Sequence, residues 1–73
     1  MELDDPVALD TVEALSEGLE RDRAVLTCLL GARRFTIPRY FVLKGSHVQK
    51  PGDHGRLVIP RWLASGLGLL SEP

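Results

Sequence analysis

Most residues of this chain that could do chemistry lack the partners that chemistry needs. Cys28 is the single cysteine and sits among Leu26, Thr27, Leu29 and Leu30. A thiol in such apolar company is an inert core group rather than a nucleophile. Ser46 and His47 are adjacent, but neighbours along an extended chain point to opposite sides and form no nucleophile–base dyad. His47, Asp53 and His54 share one loop-rich stretch, without the Cys-x-x-Cys or spaced His pairs of zinc sites. Gly45, Gly52 and Gly55 do not follow a strand and open a helix, as a phosphate-binding loop requires. These readings point away from an enzyme and call for no metal and no cofactor.

The remaining chemistry is concentrated in a phrase that occurs twice. Arg34-Phe35-Thr36-Ile37-Pro38-Arg39-Tyr40-Phe41 is matched by Arg56-Leu57-Val58-Ile59-Pro60-Arg61-Trp62-Leu63. Each copy reads as a short strand stopped by proline, followed by a turn or helix start that sets an arginine beside an aromatic ring. Guanidinium groups pair with carboxylate or phosphate, and aromatic faces stack on bases or pack on protein. Arg39, Arg61, Trp62, Tyr40, Arg34 and Arg56 are therefore the candidate binding residues. Trp62 is also expected to be partly buried, because so small a domain needs its area.

A second candidate surface is acidic. Residues 1–22 hold eight acids and one base, Arg21, whereas residues 23–73 hold eight bases and two acids, Asp53 and Glu72. The halves therefore carry −7 and +6, which sum to the net −1. Glu13, Glu17 and Glu20 recur at spacings that would place them on one face of a helix. Such a row is a solvated face, or one that imitates a nucleic-acid backbone.

The elements that must position these residues follow from local signals. Asp5 and Pro6 suit a helix start, and Ala8, Val12, Leu15 and Leu19 recur with helical spacing, so an acidic amphipathic helix is predicted over 5–22. Ala24–Leu30 reads as a buried strand, and Gly31-Ala32 as a two-residue turn with glycine first. Arg33–Ile37 returns as its partner, ended by Pro38. Tyr40–Leu43 fits either a helical turn or a continued strand, and His47–Gln49 a short strand. Lys50–Gly55 is dense turn chemistry. Arg56–Ile59 is a further strand, and Arg61–Leu67 a short helix closed by Gly66 or Gly68. Ser71–Pro73 is a fraying tail. The predicted fold is α+β in a single domain: the acidic helix on a small antiparallel sheet or half-barrel of three to four strands over 23–60, then a short helix over 61–68.

Seventy-three residues, 44% hydrophobic and 26% charged, suit one globular domain with a thin core. No apolar run approaches the ~20 residues that span a bilayer. The acidic N-terminus is unlike a secretory signal, so a cytoplasmic protein is the simplest expectation.

Two resemblances add to this reading. Gly55–Leu63, with Gly66-Leu67-Gly68-Leu69, resembles the half-motif of AbrB-type swapped-hairpin regulators. That likeness implies Leu57, Ile59, Leu63 and Leu67 as core, Leu69 at the start of a further strand, and DNA binding as an interleaved dimer. Over Ala24–Leu69, the order Ile37-Pro38-Arg39, then Ile59-Pro60-Arg61-Trp62-Leu63-Ala64 and a closing Gly-Leu, is similar to short uncharacterised proteins of phages and other mobile elements. It implies an accessory role such as an anti-CRISPR type inhibitor. The combined expectation is a non-catalytic interaction protein docking on a protein or nucleoprotein complex. The second reading is a direct nucleic-acid-binding module or a small DNA-binding regulator, either as a monomer or as a homodimer.

Overall fold

A computed structural model of the chain describes residues 5–70. Its first element overturns the α+β expectation. Pro6–Glu20 is not a helix but a long strand, β1. It is followed by β2 (Arg23–Leu30), β3 (Arg33–Pro38), a 3₁₀ turn (Arg39–Phe41), β4 (His54–Pro60) and α1 (Arg61–Gly66). The strands form one antiparallel sheet in the order β3-β2-β1-β4, so the molecule is a small β fold with a single short C-terminal helix among its described residues. That helix is too short to cross a membrane. The tail Ser71–Pro73 lies outside the described residues.

Two β-bulges break the alternation that would have marked β1 as a strand. Against β4, Leu9 pairs with Leu57 and Val12 with Gly55, so two residues of β1 face one of β4. Against β2, Ala14 pairs with Cys28 and Ser16 with Thr27, which leaves Leu15 as an extra residue. Each β-bulge shifts the alternation by one. The side facing the core therefore runs Val7, Leu9, Val12, Ala14, Glu17, Leu19, in steps of two and three. The helically spaced Ala8, Val12, Leu15 and Leu19 instead combine an outward-facing residue, two on the core side and the extra residue of the second bulge. Pro6 opens the strand rather than a helix, opposite Pro60.

Both hairpins have two-residue loops. Gly31 has φ +62° and Ala32 does not share the positive φ, which is the expected glycine-first turn. Arg21 and Asp22 both have positive φ, 52° and 65°, so the β1–β2 turn is of the primed type that normally selects Asn-Gly. Working back from these closing pairs, strand alternation aims the backbone groups of Ser16, Gly18 and Glu20 at β2. Those of Glu17 and Leu19 face the other way. The bonds from Ala14 N–H to the Asp53 carbonyl (2.8 Å) and from Gly52 N–H to the Ala14 carbonyl (3.0 Å) fit the same phase.

The core is formed by Leu9, Val12, Leu26, Cys28, Phe35, Ile37, Val48, Leu57, Ile59 and Ala64, closed by the half-buried Leu63 and Leu67 of the helical end. Segment 43–48 covers the outer edge of β4. Leu43 N–H bonds the Val58 carbonyl (2.8 Å), His47 N–H bonds the Arg56 carbonyl (2.8 Å), and Ser46 Oγ accepts from Val58 N–H (2.8 Å). His47–Gln49 is thus edge cover without being a strand. The end of α1 is a Schellman cap: Gly68 N–H bonds Ser65 and Leu69 N–H bonds Ala64, with Gly68 at φ +75°. Leu69 belongs to this cap and starts no strand.

Candidate interaction surface

The doubled phrase folds twice into the same shape. Pro38 (φ −62°, ψ 138°) ends β3 before the 3₁₀ turn, and Pro60 (φ −62°, ψ 144°) ends β4 before α1. Proline supplies the φ but no N–H, so it can end a strand and lead straight into a helical turn. Ile37 and Ile59 are both fully buried, and they anchor their corners in one core. A bond from Arg61 N–H to the Asp5 carbonyl (2.8 Å) ties the second corner to the start of β1.

The two corners meet through their aromatic residues. The Tyr40 and Phe41 rings are 4.3 Å apart, and Phe41 lies 5.1 Å from Trp62 in an edge-to-face contact. Phe41 is half-buried between rings that remain open: Tyr40 is 61% exposed and Trp62 40%. Apart from these two, the only large hydrophobic side chain described as exposed is Leu19, at 76%. It lies on the core-facing side of β1, one step beyond Glu17 and opposite Ala24.

The β1–β2 hairpin reaches over the first corner. Glu17 Oε2 accepts a hydrogen bond from Arg39 Nη1 at 3.0 Å, and Arg23 Nη1 approaches the Tyr40 hydroxyl at 3.4 Å. The question raised by the divided charge is whether the acidic segment masks the basic corners. It pairs Arg39, and Asp10 stands 3.9 Å from Arg56, but Arg61 is exposed and has no ion pair among the described residues.

The other candidates disperse. Glu13 and Arg34 lie on the opposite face of the sheet, either side of Leu29, and Glu20 closes the hairpin opposite Arg23. Glu13, Glu17 and Glu20 therefore do not form the single acidic face that a helix would give them: the bulge at Leu15 puts Glu17 on the other side of the sheet. Phe41, Arg23 and Leu19 belong to the surface but were not singled out from sequence. Phe41 carried a signal in its place at the end of the first repeat, whereas Arg23 and Leu19 acquire their positions only from the hairpin.

Reactive groups are scarce around this surface. Burial pushes the Cys28 thiol up to about 11, and the described residues include no cluster of His, Cys, Asp or Glu suited to a metal. Asp53 is held below its ordinary 3.8 chiefly by the backbone N–H of Gln49, joined by Lys50 through its N–H and ammonium. Those contacts organise the loop before β4. No family model, curated protein or solved structure matches the chain.

Proposed function

We propose that this protein is a non-catalytic docking module that binds a protein or nucleoprotein partner through the twin corner of Arg39, Tyr40, Phe41, Arg61 and Trp62. The observation that carries this reading is the contact of two exposed rings, Tyr40 and Trp62, with one half-buried ring, Phe41, on a framework of buried isoleucines. Exposed aromatic area held rigidly beside arginine is the composition of interface hot spots. The inert thiol and the dispersed, exposed carboxylates support a binding role over a catalytic one. The mixed charge around the corner, with Glu17 on Arg39, favours a protein surface over a bare phosphate backbone.

The test is to change Arg39→Glu together with Arg61→Glu and compare capture of partners from the native host with that of the unaltered chain. Loss of a specific partner with an unchanged circular dichroism spectrum is the expected result. Undiminished capture would remove this surface from consideration.

Direct nucleic-acid binding is the second reading, favoured by the exposed Arg61 and by Arg23 beside Tyr40. It requires affinity for an arbitrary single-stranded oligonucleotide that falls steeply with salt. Absence of binding at low salt would eliminate it.

A further inference from the structure

We infer that the free edge of β1 at Glu17 and Leu19 is a strand-addition site, at which the partner docks an extended, basic segment alongside the aromatic corner. This rests on the docking reading above. β4 accompanies β1 only as far as Glu13, and the loop before it adds a last pair of bonds to Ala14. From Glu17 to Glu20, β1 is paired with β2 alone among the described residues. The hairpin phase turns the N–H and C=O of both Glu17 and Leu19 toward that open side, a template for another strand.

Two further features set this edge apart. Its Leu19 side chain is the most exposed large apolar group described, and the strand lies over the 3₁₀ turn through the Glu17–Arg39 pair. The other edges are less suited. β3 carries Arg33, Arg34 and Pro38, the usual guards against strand pairing, and the N-terminal half of β1 offers no exposed large hydrophobic residue.

Charge selects the occupant. Along this open stretch, Glu17 to Glu20, β1 carries two acids and no base. Opposite charges across a strand pair attract and like charges repel, so the incoming strand is basic. Strand alternation then directs every second side chain of that segment to the face of Leu19, where it is apolar, and the basic side chains between them to the face of Glu20.

A suitable probe is a synthetic peptide of about nine residues alternating lysine and valine, long enough to cover a typical strand. Its controls are the glutamate–valine counterpart and a version N-methylated along one edge. Amide exchange at Glu17 and Leu19 is followed together with the ring resonances of Tyr40 and Trp62. The lysine peptide is expected to slow exchange at both amides at least about tenfold, the glutamate peptide to have no effect, and N-methylation of the facing edge to abolish the protection. Glu20→Lys, on the face that receives the lysines, should weaken binding about tenfold, and Leu19→Asn should weaken it while leaving the backbone groups in place. Ring shifts without protection of Glu17 and Leu19 overturn strand addition and leave corner docking standing. No response at either place overturns strand addition and counts against the corner as well.

Discussion

Thr11 holds a left-handed φ of +62° at the first bulge, an unfavourable conformation for a β-branched residue. The bulge needs that φ, and glycine would supply it without the steric cost. Thr11→Gly should therefore stabilise the fold by roughly 0.5–1 kcal/mol after allowing for the extra freedom of glycine in the unfolded chain. The midpoint of urea unfolding reads this directly. Asp53 acts at the same scale. Its folded value lies below the ordinary one, so its support for the loop is complete above the ordinary value of 3.8 and is lost as pH falls through the lowered folded value. Protection of the Gln49 and Lys50 amides should disappear in that acid range, and Asp53→Asn should remove the acid step.

At the scale of elements, the cap of α1 is the sharpest local commitment. Gly68 has φ +75°, and a Cβ there would meet the Arg33 guanidinium at 3.2 Å. Gly68→Ala should cost about 1–2 kcal/mol, measurable by thermal unfolding, with the extra contact added to the backbone strain. This element was legible in the sequence, because Pro60, Arg61 and the closing glycines mark its start and stop. The β2 and β3 segments were legible for similar reasons: apolar runs, Gly31 at the turn and Pro38 at the end. Residues 6–20 were not. Two bulges turned an alternating pattern into steps of two and three, and neither Thr11 nor Leu15 is a residue that signals a bulge. Arg21-Asp22 concealed the hairpin further, since a primed turn normally shows itself by Asn-Gly. The acidic residues shift for the same reason: what reads as one helix face is a strand with Glu17 on one side and Glu13 on the other.

The whole molecule has a Cα radius of gyration of 11.5 Å, close to the ~11 Å expected of one compact domain of this length. Its stability is small in absolute terms, about 4–11 kcal/mol from general per-residue values. Both corners depend on a buried isoleucine, so Ile59→Ala, at about 2–5 kcal/mol, should remove a large part of the total and lower the unfolding midpoint accordingly. The opposed charges of the two chain halves do not fold into one neutral seam. Glu17–Arg39 and Asp10–Arg56 are surface pairs, each worth about 0–1 kcal/mol, and Arg61 stays open.

The central claim is that the two Ile-Pro-Arg corners act as a single binding surface joined by Phe41. The most direct measurement compares three chains in quantitative capture of partners from the native host: unaltered, Tyr40→Ser alone, and Arg61→Glu alone. A joint surface requires both single variants to lose the same partner while keeping the unaltered unfolding midpoint. Loss of that partner by one variant and full retention by the other would contradict it.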